Sequence, residues 1–311
     1  MAAAPGPHPG SSGSRGAPPG AIVVGIDGRD EDASALEWAA MEAQLRGVPL
    51  HLISSLDLDT PTLTGLDAIP MDVVTDAVDE QTAGLLNAAR ERIAGLAPDV
   101  PVTAQATPGK AARALLAASP EAELVVMGSA RAGRQGPRLF IGSTSTSVVA
   151  LAKCPAIVVG PNVPADGDVV VGVDGSPHSL EALCYAVDSA VRYGTAVRVV
   201  SAWFTEVVDG MVATTPGEPA YEAVHARYLE RLEHALARHR EAHPDLEFKV
   251  TVCQGQIAKV LLQAAEGQRL LVIGTRGRGG ITGILLGSVS RRILQAATQP
   301  VAVLTAGDTA R

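Results

Sequence analysis

From Gly274 to Ser290 the chain reads GTRGRGGITGILLGSVS, which holds six glycines, two arginines and two serines. The spacing Gly274-x2-Gly277-x9-Gly287-Ser288 suits a loop wrapped around a phosphorylated ligand. Glycine tolerates positive φ and lets the backbone come close to a partner. Ser288, Val289 and Ser290 open the helix expected next, where unpaired N–H groups and the helix dipole attract anions. The hydroxyls of Ser288 and Ser290 can donate further hydrogen bonds, and Arg276 and Arg278 add positive charge. A carboxylate distant in sequence complements the loop: Asp174, followed by Gly175 and Ser176 in VVVGVDGS. An ionised Asp only accepts hydrogen bonds, so it suits ribose hydroxyls or an adenine amino group, not a phosphate.

Other groups carry weaker chemistry. No GxxxxGK[ST] string occurs, and the first strand of each half runs into GIDGR or GVDGS, not GxGxxG. Lys110 follows Gly109, but its counterpart in the second half is Gln256, so it reads as a solvated lysine. His239 and His243 have i,i+4 spacing with no third metal ligand in view. Their expected role is at a helix C-terminus. His178 lies near Asp174 without a nucleophile to serve. Cys154, Cys184 and Cys253 lack CxxC spacing and read as inert thiols of a reducing cytoplasm.

The elements that must position these groups come in two copies. Asp27 aligns with Asp174, Gly109 with Gly255, Gly128 with Gly274 and Pro155 with Pro300, all at offsets of 145 to 147. The expected layout is a Pro/Gly/Ser-rich disordered tail over 1–20, one domain over 21–161, a linker over 162–167, a second domain over 168–306 and a short tail over 307–311. Each half alternates short apolar runs with helical patterns, which predicts α/β domains with mostly parallel sheets covered on both faces. Helical stripes are expected through Ala33, Leu36, Ala40 and Ala43, through Leu180, Leu183, Val187 and Val191, and through Tyr221, Val224, Tyr228, Leu232 and Leu236. The last helix is predicted to end before Pro244. In such sheets ligands bind beyond the carboxyl ends of the strands, where the strand order switches. Asp174 and Gly274 end the first and fourth strands of half two.

Composition narrows the class. A hydrophobic fraction of 47% lets each half build a core, and a net charge of −8 argues against general nucleic-acid binding. No apolar run reaches about 18 residues, so no membrane helix is expected. The N-terminal tail lacks the apolar centre of a secretion signal.

Strand, Asp174, loop and repeat together resemble a tandem universal stress protein of the nucleotide-binding subclass. Half two matches every position of that family's Gly-x2-Gly-x9-Gly-Ser/Thr motif. The resemblance implies two doubly wound, Rossmann-like (adenine nucleotide alpha hydrolase-like) domains of five strands, paired through their fifth strands. It implies ATP or another adenine nucleotide as ligand, with Mg as a companion of ATP. Asp174 would lie near the adenosine, with Gly274, Gly277, Gly287 and Ser288 around ribose and phosphates.

Half one departs from the motif. Its loop reads GSARAGRQGPRLFIGSTSTS: Gly128 is kept, Arg131 replaces the second glycine, and Gly142 and Ser143 come one residue late. If the second glycine serves positive φ, Arg131 is disfavoured there; Pro137 stiffens the loop further. Asp27, Gly128, Gly142, Ser143 and Thr144 are its candidate site residues, and weak binding, altered binding and no binding all stay open. The reading is a nucleotide-responsive stress or signalling module without legible catalytic machinery. A slow ATPase or phosphotransferase and a nucleotide-independent scaffold are the alternatives. A homodimer is compatible with the pairing, and no protein partner is named by the sequence.

Overall fold

A computed structural model of the chain describes residues 16–29, 31–56, 71–129, 142–204, 206–208, 211–213, 215–277 and 286–305. The first half runs β1 (Ile22–Ile26), α1 (Glu31–Arg46), β2 (Leu50–Leu56), α2 (Met71–Leu96), β3 (Val102–Pro108), α3 (Ala111–Ala118), β4 (Leu124–Gly128), α4 (Ser143–Leu151) and β5 (Ala156–Val159). The second runs β6 (Val169–Gly172), α5 (Pro177–Tyr193), β7 (Val197–Trp203), β8 (Glu206–Val208), β9 (Met211–Ala213), α6 (Pro219–Ala242), β10 (Phe248–Gln254), α7 (Ile257–Ala265), β11 (Leu270–Gly274), α8 (Ser288–Leu294) and β12 (Val301–Leu304).

Ten strands form one sheet in the order β10-β7-β6-β11-β12-β5-β4-β1-β2-β3. Neighbours are parallel except at its middle, where β12 and β5 run antiparallel with Val301 opposite Val158 and Val303 opposite Ala156. Central strands such as IVVGI and LLVIG are buried on both faces, as continuous Val/Ile/Leu runs require. One face is covered by α1, α2, α5 and α6 around Leu36, Ile93, Leu183 and Leu236. The other is covered by α3, α4, α7 and α8 around Leu115, Val148, Leu261 and Ile293. Each core runs unbroken across both halves.

Local chemistry sets the ends of α5. Ser176 is its N-cap and accepts the Ser179 N–H at 3.3 Å, Pro177 takes the first helical position, and Gly194 closes the helix at φ +66°. Of the stripe expected through Leu180, Leu183, Val187 and Val191, Leu183 and Val187 are buried, while Leu180 and Val191 are 40% and 49% exposed. The buried face instead centres on Ala182, Ala186 and Ala190, flanked by Leu183 and Tyr185. Small residues let the helix lie close to β6 and β11, so alanines share its core side with Leu183 and Val187. The α6 stripe stands as expected: Val224, Tyr228, Leu232 and Leu236 are buried, and the helix stops before His243 and Pro244.

Two further differences from the sequence reading appear. Residues 16–20 belong to the structured region: the Gly20 N–H donates to Glu121 O at 2.7 Å, and Ala17 packs on the α3-side core. The segment after β7 contains a two-stranded antiparallel sheet, β8 with β9, packed on α6. Its sequence signal is an Asp-Gly pair between EVV and MVA, the composition of a tight hairpin.

Candidate functional site

The strand order reverses at β6: the chain leaves it towards β7 and returns on its other side as β11. The parallel register sets Val171 beside Val272, so Asp174 and Thr275 leave the sheet at the same level. This is the switch point at which open α/β sheets bind ligands.

Four hydrogen bonds build the Asp174 turn. Asp174 Oδ1 accepts the Ser176 N–H at 2.9 Å, an Asx turn that Gly175 completes at φ +81°. The Asp174 N–H donates to Ser179 Oγ at 3.3 Å, and Ser179 Oγ donates to Ser176 O at 2.9 Å. Ser176 Oγ reaches across to Arg276 O at 3.4 Å, which stitches the turn to the glycine loop. Ser179, absent from the sequence-derived set, is the residue that fixes Asp174. Its signal was the Ser176-x-x-Ser179 spacing across a helix start.

The glycine loop leaves and re-enters at one point. The Gly287 N–H donates to Thr275 O at 2.8 Å, and Ser290 Oγ donates to Gly274 O at 2.8 Å. Ser290 is buried, and its hydroxyl proton goes to the end of β11 and not outward, which corrects the donor role read for it from sequence. Ser288 is exposed and Val289 half-buried in the first turn of α8. Arg278 and the other residues of 278–285 lie outside the described residues.

The glycines serve space, not positive φ. Gly274, Gly277 and Gly287 all lack a positive φ. A Cβ on Gly274 would stand 2.7 Å from His178 Cβ and 2.9 Å from His178 O, so this glycine lets the start of α5 lie against β11. A Cβ on Gly277 would stand 2.6 Å from Asp174 Oδ2. Gly277 therefore reserves the volume that the Asp174 carboxylate uses. Arg276 completes the set: its Nε is buried and has no hydrogen-bond partner among the described residues. An anionic oxygen is what such a donor lacks.

Half one builds its turn differently. Asp32 stands where half two has Ser179, and its Oδ2 accepts the N–H groups of Asp27 at 2.9 Å and Gly28 at 2.7 Å. Asp27 is exposed and pairs with Arg29 at 3.3 Å. Gly128 ends β4, Gly142 caps α4 with φ −62°, and Ser143 and Thr144 open that helix. Arg131 and Pro137 lie outside the described residues. Burial raises the Asp32 carboxyl to about 6, against the pull of the Gly28 N–H and with the Asp27 charge adding to the rise.

A raised acid in the folded state stabilises below its unfolded value and loses that contribution as pH climbs through the folded value. The window here runs from about 4 to about 6. Asp32→Asn keeps an acceptor and removes the charge. It is expected to raise stability at pH 7 by about 1–2 kcal/mol and to leave it unchanged near pH 4. Urea unfolding at the two pH values measures this; an equal effect at both would contradict the assignment.

Lys110 is exposed at the N-cap of α3. His239 Nε2 lies 3.9 Å from Cys184 Sγ, and no group of three metal-binding side chains exists among the described residues. No helix among them is long and apolar enough to cross a membrane.

The model of the universal stress protein family matches twice, over residues 20–160 and 167–305. The chain belongs to the universal stress protein family. A universal stress protein of Mycolicibacterium smegmatis is 35% identical over 291 residues, spanning 91% of this chain and 96% of the relative. Universal stress protein Rv2005c of Mycobacterium tuberculosis is 33% identical over 289 residues, again spanning 91% and 96%. Among solved structures, a universal stress protein from Archaeoglobus fulgidus superposes with a TM-score of 0.68 at 20% identity, covering 93% of this chain and 97% of that one. That likeness extends through both halves of the fold.

Proposed function

We propose that half two binds an adenine nucleotide, ATP foremost, and that the chain is a nucleotide-responsive stress or signalling module. The observation that carries the reading is the Asp174 carboxylate, held by Ser176 at the switch point and facing a position where Gly277 leaves room for no side chain. Asp174 would accept ribose or adenine hydrogen bonds. The buried Nε of Arg276, with the N–H groups of Ser288 and Val289 in the first turn of α8, would take the phosphates. Mg would enter on the phosphate oxygens of ATP, as it does where few carboxylates are offered. The reading requires no turnover.

Half one fits the non-binding alternative best. Asp32 adds a second carboxylate beside Asp27, and Arg29 already engages Asp27. The proposed assembly joins the chain's own halves across β5 and β12, in a cytoplasm where its three cysteines, none in a disulfide, stay reduced.

Equilibrium dialysis with ATP, ADP and AMP tests the reading. Saturation near one nucleotide per chain is expected. Absence of binding at millimolar nucleotide would leave a scaffold with a glycine loop that only shapes a turn.

A further inference from the structure

The seam between the halves is not lined by equivalent side chains. α1 packs beside β5 and α5 beside β12, and the two helices carry a polar cluster that crosses the seam. From half one, Glu42 Oε1 and Arg46 Nε lie 2.6 Å apart, with side chains only 2% and 7% exposed. Arg46 Nη1 reaches Glu123 Oε1 at 2.7 Å. From half two, Tyr193 OH donates to Glu42 Oε2 at 2.6 Å, and Arg46 Nη2 donates to Tyr185 OH at 3.2 Å. Arg192 Nη1 stands 3.7 Å from Glu42 Oε1. Arg269 stacks 4.0 Å above the Tyr193 ring and donates to Ala165 O in the linker at 2.9 Å. Burial and then the Glu42 carboxylate push the Tyr193 hydroxyl well above its usual value, so it stays a neutral donor.

The repeat shows what this cluster excludes. At the internal offset, Glu42, Arg46 and Glu123 of half one correspond to Ser189, Tyr193 and Arg269 of half two, and Arg192 corresponds to Leu45. Half one offers two carboxylates and one guanidinium; half two offers two guanidinium groups, two tyrosines and no carboxylate. Two first halves set across such a seam would bring four carboxylates against two arginines. Two second halves would bring four arginines with no carboxylate. Glu123 and Arg192 are 43% and 26% exposed, so the mismatch falls on the buried Glu42 and Arg46, which in a like pair would lose their Tyr193 and Tyr185 partners, and burying charge without its partner is strongly unfavourable. The seam is also close-packed: a Cβ on Gly160 would stand 2.1 Å from Thr298 O.

We propose that the Glu42–Arg46–Tyr193 cluster is a matching key, by which a first half pairs with a second half and rejects its own kind. The surface each half presents fits one partner, the complementary half of this chain, whether its own or that of a second copy.

The test exchanges the key across the seam in the full-length chain. One variant, E42S/R46Y/E123R, gives half one the side chains of half two. The reciprocal variant, S189E/Y193R/R269E, does the opposite, and a third combines all six changes. Each triple variant is expected to lower Tm by roughly 10 °C, since each strands buried partners. The six-fold variant rebuilds the Glu–Arg–Tyr core of the cluster with donors and acceptors exchanged, Tyr185 and Arg192 staying in place, and is expected to recover at least about half of the summed loss in a single transition. Losses that simply add in the six-fold variant would overturn the proposal, because side chains that only fill space are not rescued by changes in the opposite half. If neither triple variant folds, the six-fold variant decides alone: folding supports the key, and failure to fold overturns it.

Discussion

Replacing Gly277 with Arg, the residue that half one carries at this loop position, is expected to abolish most nucleotide binding while the fold persists. Gly277 is exposed and has no positive φ, so the backbone accepts a side chain without strain. The obstacle is the Asp174 carboxylate, 2.6 Å from the new Cβ. That carboxylate must swing away, or bind the new guanidinium, and either way it stops accepting from a ligand. A charge-assisted hydrogen bond contributes about 1.5–3 kcal/mol, and each 1.4 kcal/mol is tenfold in affinity. An increase in Kd on the order of 100-fold is therefore expected, with Gly277→Ala intermediate because the carboxylate can rotate around a methyl group. Circular dichroism and Tm should stay near wild type. A Gly277→Arg protein that binds ATP as tightly as wild type would show that Asp174 is a turn residue only.

Gly160→Ala is expected to cause the largest loss of stability of any glycine-to-alanine change among the described residues. Gly160 follows β5 and faces the backbone of Thr298 from the other half, and the Asn162 N–H donates to the same Thr298 O at 2.9 Å. The added Cβ would stand 2.1 Å from that oxygen and 2.4 Å from its carbonyl carbon. No side-chain rotation relieves a clash with backbone, so the seam itself must open. Ala156, Ile157, Val158 and Val159 of β5 and Val301, Ala302, Val303 and Leu304 of β12 are all buried there. Overpacking typically costs 1–3 kcal/mol, and a backbone clash at a shared seam belongs at or above about 3 kcal/mol. A fall in Tm of about 5 °C or more follows for a chain of 311 residues. Scanning calorimetry measures it, and an unchanged Tm would mean that the halves are not packed as described.

What the sequence discloses and what it hides follow from different physics. Val/Ile runs belong to single segments and the constant repeat offset to the sequence itself, so the strands and the duplication are legible without the fold. The α5 face expected from leucine spacing holds at Leu183 and Val187 but not at Leu180 and Val191, because the close approach of α5 to β6 and β11 brings Ala182, Ala186 and Ala190 into the core. For Gly277 the expected reason, positive φ, is not the one the fold shows. Spacing shows that a side chain is absent, but only the fold shows that the Asp174 carboxylate fills the room. Ser290 was read as an outward donor because a helix start offers hydroxyls to solvent; its turn instead points back at Gly274 O and Thr275 O. Asp32 and the Glu42–Arg46–Tyr193 cluster went unread because their meaning depends on partners brought in from far along the chain.

The central claim, that half two holds an adenine nucleotide against Asp174, is tested most directly by what the protein carries. Freshly purified chain would be denatured and the released nucleotide identified and counted by chromatography, with the same protein first loaded with ATP as a second sample. About one adenine nucleotide per chain, lost in Gly277→Arg, is the predicted result. No nucleotide in either sample would contradict the claim, and the six glycines would then serve the turn alone.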